Sequence, residues 1–176
     1  DRRSSDSHGL NPYDRPVLEM SLRLKEELSG TIAAISMGPE PCAFALSEAM
    51  AMGVDRSVLL CDPALAGADT LATSNALATA IRKLAPFDLV LFGSRAADSD
   101  TGHVGPQTAV LLDLPMVTGA HAVETKADGL IAERRADGFL ECFEVSFPVG
   151  LSIHSSATLP RDVGLLGIEL AFEEKD

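Results

Sequence analysis

The sequence predicts a three-layer α/β fold, in which helices cover an open, mostly parallel sheet that carries a small antiparallel extension. Short apolar segments centred near residues 34, 59 and 90 alternate with amphipathic helical patterns, as in right-handed βαβ units. These segments are continuously apolar, which is typical of parallel strands covered on both faces. After residue 115, strand patterns follow one another closely and are separated by Asp-Gly pairs, which favour hairpins.

The first helix is expected after the segment Asn11-Pro12-Tyr13-Asp14, with Asp14 as a candidate N-terminal cap and Pro16 in the first turn. Gly30 is expected to end this helix. The apolar face has helical spacing and consists of Val17, Met20, Leu24 and Leu28. The opposite face is expected to be exposed and consists of Arg15, Glu19, Arg23, Glu26 and Glu27.

The remaining elements continue the βαβ pattern. Strands are predicted over residues 31–36, 57–61, 88–92, 117–124, 130–134 and 140–147, and helices over residues 42–52 and 69–84. Gly53 is expected to end the second helix, and Asp69 is expected to cap the third. We therefore expect a single domain over residues 1–176. Residues 1–115 would form its parallel core, 116–155 its antiparallel strands and 156–176 a tail that ends in an exposed acidic stretch.

The composition excludes several classes of partner. The chain has 176 residues, with 14 Lys+Arg against 26 Asp+Glu, and its net charge of -12 disfavours nucleic acid and anionic membranes. No apolar run reaches the length of about 18 residues that a spanning helix needs, and no signal peptide is predicted. The three cysteines lack a C-x-x-C pair, so we expect small buried side chains in a reducing, cytoplasmic compartment rather than disulfides or a zinc site.

A binding site is expected at the carboxyl ends of the parallel strands, where ligands bind in open α/β sheets. The most unusual loop there runs from residue 93 to residue 105; it is rich in small residues and leads into a helix that is predicted to begin near residue 103. Free backbone N–H groups at such a helix start bind phosphate without a lysine. Asp98 and Asp100 fit loop closure, backbone capping or contacts with ribose hydroxyls. From spacing alone, a nucleotide loop and an ordinary loop with capping aspartates remain two open interpretations.

No catalytic or metal site is predicted from the motifs. The four histidines, at positions 8, 103, 121 and 154, have none of the usual metal-ligand spacings. The sequence contains no Walker A loop, no G-x-S-x-G elbow and no G-x-G-x-x-G fingerprint. The segment Glu133-Arg134-Arg135 is interpreted as a solvated strand edge, with contact to a partner protein or a dinucleotide as the alternative.

Several segments, taken in order, resemble the β subunit of electron transfer flavoprotein, including its nitrogen-fixation and electron-bifurcating relatives. The resemblance covers nearly the whole chain. Its most specific part is the loop Ala96-Ala97-Asp98-Ser99-Asp100-Thr101-Gly102-His103-Val104-Gly105-Pro106. Its other parts are Asn11-Pro12-Tyr13-Asp14, Leu22-Arg23-Leu24-Lys25-Glu26, Ser36-Met37-Gly38-Pro39, the segment Glu48 to Arg56, and Gly67-Ala68-Asp69-Thr70-Leu71-Ala72-Thr73-Ser74.

The resemblance implies a Rossmann-like fold of the adenine nucleotide α-hydrolase-like type and an electron carrier rather than a catalyst. It also implies a heterodimer with a FAD-bearing α-like subunit, served by a flavin dehydrogenase or reductase. The β subunit in this family binds AMP or, in the bifurcating group, a second FAD, and this sequence is more similar to that group. The residues implied to contact the nucleotide are Asn11, Ser36, Met37, Ala96, Asp98, Asp100, Thr101, Gly102, His103 and Val104.

The sequence also departs from the family pattern. Family members begin with an apolar strand that this sequence does not contain, so an open position in the sheet is expected; the family's C-terminal arm is also absent or truncated. His103 stands where relatives usually have glutamine, which bears on nucleotide affinity. Two alternatives therefore stay open. One is a stand-alone ATP- or AMP-binding regulatory module like the universal stress proteins, and the other is a degenerate scaffold with an empty pocket.

Overall fold

The structure is a computed structural model that describes residues 10–96 and 100–161. It confirms the α/β class, with four α-helices and two sheets in this part of the chain. The helices are α1 (Arg15–Leu28), α2 (Ala43–Met52), α3 (Thr70–Leu84) and α4 (Val104–Leu111). The strands are β1 (Ala33–Met37), β2 (Arg56–Leu60), β3 (Leu89–Gly93), β4 (Met116–Lys126), β5 (Gly129–Ala136), β6 (Phe139–Ser146) and β7 (Val149–Ile153).

The strands divide between two sheets. Strands β1 and β2 pair in parallel, and a separate sheet has the order β3-β7-β4-β5-β6. In this second sheet β3, β7 and β4 are parallel, whereas β4, β5 and β6 are antiparallel. The three strands predicted as one parallel sheet therefore do not share one hydrogen-bonded ladder. Within the described residues, β1 and β3 each have one edge without a partner strand.

Helix α1 packs on both sheets. Val17, Met20 and Leu24 lie in the core of the five-stranded sheet, while Leu18 and Leu22 pack in a second cluster that includes residues of β1 and α2. This agrees with most of the predicted apolar face, but Leu28 is 44% exposed and does not belong to it. Helix α3 packs against α4 and β1, and α4 in turn contacts β4 and β7. Helices α1, α3 and α4 therefore link the two sheets.

The ends of α1 differ in part from the prediction. Pro16 lies in the first turn as expected, but the side chain of Asp14 makes no capping hydrogen bond to the helix. Ser29, rather than Gly30, adopts the left-handed conformation at the end, with φ 53°. Glu19 was predicted on the exposed face, yet it is only 4% exposed because a distant arginine covers it.

The ends of the next two helices agree with the prediction. Gly53 follows α2 with φ 117°, a left-handed conformation that glycine adopts without a Cβ penalty. The carboxylate of Asp69 accepts a hydrogen bond of 2.8 Å from the backbone N–H of Ala72, which caps α3.

Strand β7 is the element that the sequence prediction missed. Its five residues are all buried, and it lies between β3 and β4. Its run Val149-Gly150-Leu151-Ser152-Ile153 is short and almost continuously apolar, which is the pattern of a buried parallel strand. By contrast, most residues of β1, β2 and β3 are only half-buried, so the expectation that helices cover these strands on both faces was too strong.

The antiparallel extension is built from two hairpins. Asp137 and Gly138 join β5 to β6 with φ values of 52° and 83°, as a type I′ turn requires. The segment Glu133-Arg134-Arg135 was predicted to be a sheet edge, but β5 lies inside the sheet between β4 and β6. Arg134 pairs with Glu141 and lies over the ring of Phe143, with 5.0 Å from its guanidinium carbon to the ring centroid.

The composition led to expectations about the cysteines, about membrane spans and about the acidic stretch near the end of the sequence. Cys61 and Cys142 are exposed and Cys42 is half-buried, so the expectation of small buried side chains was wrong. No helix in residues 10–96 and 100–161 combines the length and apolar character needed to cross a membrane. The predicted acidic stretch at 169–176 lies outside the described residues.

Candidate functional site

The predicted site residues lie at the ends of β1 and β3 and at the start of α4. Ser36 and Met37 are the last two residues of β1 rather than parts of a turn, and the turn starts at Gly38, whose N–H donates to the carbonyl of Leu60 over 3.1 Å. Strand β3 ends at Gly93, and residues 94–103 connect it to α4. Asn11 reaches the same region from the turn before α1, because its side chain bonds to this connection.

Asn11 uses its side-chain amide to join two segments of the chain. Its Nδ2 donates to the backbone carbonyl of Arg95 over 3.0 Å, and its Oδ1 accepts from the N–H of Tyr13 over 3.1 Å. Its own carbonyl accepts from the N–H of Asp14 over 2.8 Å. Asn11 thus positions the loop after β3, a role distinct from the direct ligand contact implied by the family resemblance.

Asp14 packs directly on the end of β3. A Cβ atom placed on Gly93 would lie 2.0 Å from Oδ1 of Asp14, so the carboxyl group occupies the space that a side chain at position 93 would need. Burial raises the pKa of Asp14 to about 6, and a hydrogen bond from Asn11 opposes this change. Gly93 and Asp14 together place a titratable carboxyl group at the candidate site.

The loop after β3 is closed by its own hydrogen bonds. The N–H of Ala96 donates to the carbonyl of Thr101 over 3.0 Å, and the N–H of Asp100 donates to the carbonyl of Ala96 over 2.9 Å. Asp100 has φ 51°, and both its carboxylate oxygens lie 3.2 Å from the guanidinium of Arg95. Asp100 therefore closes the loop, which was one of the roles predicted for it. Asp98 lies outside the described residues.

The loop after β3 ends at the amino end of α4. Gly102 lies close to Ser94, because a Cβ at position 102 would be 3.0 Å from the Ser94 carbonyl. His103 is exposed, and its side chain makes no capping hydrogen bond to α4. Pro106 has no N–H, so Val104 and Gly105 supply the backbone N–H groups of the first turn. The positive end of the helix dipole therefore lies next to the loop.

The contact between Ser74 and Gln107, which sequence reasoning missed, helps to hold α4 in place. The hydroxyl of Ser74 on α3 is fully buried and lies 3.2 Å from the Val104 carbonyl and 3.1 Å from Oε1 of Gln107. Gly105 lets α4 approach β3, since a Cβ there would be 3.1 Å from the side chain of Phe92. A serine on the inward face of a predicted helix is the signal that could have identified Ser74.

The arrangement brings together groups that bind polar ligands in other proteins. It offers backbone N–H donors at α4, the carboxylates of Asp14 and Asp100, and an arginine that is paired with Asp100. Backbone N–H groups at a helix start bind phosphate groups, and carboxylates accept hydrogen bonds from sugar hydroxyls. Among the described residues, no cluster of three or more His, Cys, Asp or Glu side chains could hold a metal ion. An open cavity of about 470 Å³ lies elsewhere, lined by Leu28, Asp88, Leu89, Ala127, Asp128 and Phe147 near the amino end of β3.

The fold and this edge define a class of protein, an open α/β domain whose strand ends face the amino terminus of a helix. The particular family follows from comparison with known proteins. The family model described as "Electron transfer flavoprotein domain" matches residues 3–169. The chain therefore belongs to the electron transfer flavoprotein family, as the sequence resemblance indicated.

Three relatives illustrate the breadth of the match. The chain is 44% identical over 167 residues to the electron transfer flavoprotein subunit beta of Thermoanaerobacterium thermosaccharolyticum, which covers 95% of this chain and 64% of that protein. It is 41% identical over 145 residues to Protein FixA of Azotobacter vinelandii, covering 79% and 52%. It is 39% identical over 166 residues to the caffeyl-CoA reductase-Etf complex subunit CarD of Acetobacterium woodii, covering 94% and 63%. The chain thus spans between half and two thirds of the length of these relatives.

Proposed function

We propose that this chain is part of a β-type subunit that relays electrons without making or breaking bonds itself. In this proposal it binds AMP or FAD at the edge formed by Asn11, the end of β1, residues 96–103 and the start of α4. It packs against a FAD-bearing α-like subunit, and the assembly in the cytoplasm connects a flavin dehydrogenase or reductase with an acceptor. Flavin supplies the redox chemistry when bound, and the protein supplies position and electrostatics.

The observation that carries the proposal is the hydrogen-bonded connection between Asn11 and the loop before α4. Segments far apart in sequence, which the family resemblance names independently, meet here through the 3.0 Å bond from Asn11 to Arg95. The loop is closed by the bonds between Ala96, Asp100 and Thr101, and it ends at the backbone N–H groups of the first turn of α4. A phosphate at α4 would need no lysine, which agrees with the overall charge of -12.

The described surface also supports a protein partner. Phe139 and Leu140 lie at the tip of the β5–β6 hairpin and are 73% and 59% exposed. Adjacent exposed side chains of this size mark interaction surfaces more often than isolated ones do. We assign this tip to contact with the α-like subunit. Replacing both residues with serine is expected to reduce recovery of the α-like subunit while the nucleotide is kept.

The proposal is tested by purifying the protein under native conditions, denaturing it and identifying the released nucleotide by mass spectrometry. Release of AMP or FAD supports the proposal, and the flavin absorbance per heterodimer distinguishes the two. Recovery of neither nucleotide from a folded complex would contradict it. Binding of ATP by a chain that has no flavoprotein partner would instead favour the regulatory-module alternative.

The variant Gly102→Val tests whether the nucleotide binds at the loop before α4. The larger side chain would collide with the Ser94 carbonyl, which lies 3.0 Å from the position of a Cβ at residue 102, and would push the loop away from α4. We expect at least tenfold weaker nucleotide retention. Gly30→Ala is the matched control, because a Cβ at Gly30 has no atom within 4 Å. Equal retention by both variants would mean that the ligand binds elsewhere.

A further inference from the structure

Two histidines from different strands stack at the carboxyl edge of the five-stranded sheet. His121 lies on β4 and His154 directly follows β7, with ring centroids 4.1 Å apart and ring planes inclined by 17°. The pairing of β4 with β5 shifts register between Ala120 and Ala122, so His121 is the extra residue of a β-bulge. Bulges commonly redirect a side chain, and here the bulge brings His121 onto His154.

The backbone around the bulge is fixed by neighbouring polar groups. Gly119 has φ 71°, and its N–H donates to the hydroxyl of Ser152 on β7 over 2.9 Å. The Gly119 carbonyl lies 3.1 Å from Nδ1 of His121, and since a carbonyl only accepts, this nitrogen carries the proton. The N–H of His154 donates to the carbonyl of Ala120 over 2.8 Å. The stack therefore ties β4 to the end of β7.

Ser156 meets the ring of His154 with two polar groups. Its backbone N–H donates to Nδ1 of His154 over 3.2 Å, and this nitrogen carries no proton while that bond is made. The Ser156 hydroxyl lies 2.9 Å from the same nitrogen and is an acceptor for it once the ring is protonated. Protonation of both rings would place two positive charges on rings whose centroids are 4.1 Å apart, so the stack is compatible with neutral rings and is opposed by the second proton.

His121 is the titratable group that the structure places against the ring of His154, with the ring centroids 4.1 Å apart. Burial, followed by the charges of His121 and Arg95, lowers the pKa of His154. This direction agrees with a stack that accommodates the neutral ring better than the charged one.

We propose that the His121–His154 stack is a pH-sensitive contact that holds the bulge of β4 against the end of β7. With both rings neutral, the stack is intact. Below the ordinary titration range of histidine, near pH 6.5, protons on both rings place like charges 4.1 Å apart, which separates the rings and loosens the bulge. This contact goes beyond the proposed nucleotide binding and does not depend on it.

The test is a titration of the nucleotide-free protein from pH 8 to pH 5, followed by NMR. The histidine C2–H signals report the rings, and the backbone amide signal of Gly119 reports the bulge. We expect His154 to titrate below pH 6.5 and the Gly119 signal to move as the rings become charged. An ordinary midpoint for His154, or a Gly119 signal that does not change with pH, would overturn the proposal.

Variants separate the effect of the stack from general effects of charge. His121→Phe keeps a flat ring but removes its charge, so the midpoint of His154 is expected to rise. Arg95→Gln removes a second charge that lowers the pKa of His154, which provides a further measurement if the first variant folds poorly. Lys126→Gln is the control, since it removes a positive charge on the same strand that is paired with Glu124. A His154 midpoint that is equal in wild type and in both test variants would contradict the proposal.

Discussion

We first predict how much the bonds between Glu19 and Arg161, at the end of the described residues, contribute to the stability of the fold. Its side chain is 5% exposed and accepts hydrogen bonds from Nε of Arg161 over 2.8 Å and from the Arg161 backbone N–H over 3.1 Å. Arg23 adds a bond of 2.9 Å from the next turn of α1. Replacing Glu19 with glutamine preserves the shape of the side chain and removes the charge. Among the described residues, Arg161 would then keep the exposed Glu26 as its acidic partner.

The size of the effect follows from the pKa of Glu19. The bonds from Arg161 are the largest cause that lowers this pKa from 4.5 to about 2, while burial opposes them. A difference of one pKa unit corresponds to about 1.4 kcal/mol, which gives an upper bound of about 3 kcal/mol. Because the side chain of Arg161 is 38% exposed, solvent screens part of this interaction. We therefore expect Glu19→Gln to reduce the free energy of unfolding by about 2 kcal/mol at pH 7.

The assay is urea unfolding of wild type and Glu19→Gln at several pH values. Since the pKa is lower in the folded state, the carboxylate stabilises the fold above the unfolded-state pKa of 4.5, and this contribution is lost as the pH falls toward 2. The difference between the two proteins should narrow from pH 5 to pH 3. Glu26→Gln is the matched control, because Glu26 also bonds to Arg161 but is 64% exposed, and it should cost less than about 0.5 kcal/mol. Equal losses for the two variants, or a difference that does not change with pH, would refute the reasoning.

Three further predictions concern the strand ends. The pKa of Asp14 is raised from 3.8 to about 6, so its carboxylate opposes folding above pH 6 and has no effect below pH 4. Asp14→Asn should therefore raise the free energy of unfolding by about 1 kcal/mol at pH 7.5 and leave it unchanged at pH 4, as measured by urea unfolding. Gly93→Ala should be destabilising because its Cβ displaces Asp14, and a double-mutant cycle should show a smaller cost in an Asp14→Ala background. Gly129→Ala should cost more than about 2 kcal/mol, since its Cβ would lie 2.0 Å from the Val145 carbonyl and backbone cannot easily yield. Gly30→Ala is the control for both glycine variants. If Gly93→Ala and Gly129→Ala lower the free energy of unfolding no more than Gly30→Ala does, the packing argument is wrong.

Local patterns predicted most of the elements because the signals are carried by neighbouring residues. The cap at Asp69, the left-handed Gly53 and the turn at Asp137-Gly138 are each decided within about four residues. The loop before α4 was found for the same reason, since its small residues and the following helix are contiguous in sequence.

Failures occurred where a distant residue changes the environment. Glu19 has the spacing of an exposed position, yet Arg161, which is 142 residues away, covers it. Asp14 has the position of a helix cap, but it packs on Gly93 and makes no capping bond. Pairing across such distances leaves no local signature, so periodicity alone could not detect it.

At the candidate site, too, local sequence signals identified residues, whereas contacts between distant residues became visible only in the structure. Sequence alone named Asn11, Ala96, Asp100 and the start of α4, but only the folded chain shows that Asn11 bonds to the carbonyl of Arg95 and that Asp100 closes the loop. Ser74 and Gln107, which support α4, were missed because they act through contacts between helices.

What the sequence determined by itself is the α/β class, the order of most elements and membership of the electron transfer flavoprotein family. These properties depend on hydrophobic period, turn chemistry and motif order, all of which are local or linear. The tertiary structure decided the split between the two sheets, the burial of β7, the ion pair of Glu19 and the stacking of His121 on His154. Each of these depends on which strands and side chains meet across the fold, and that is set by the packing of the whole core rather than by any one segment.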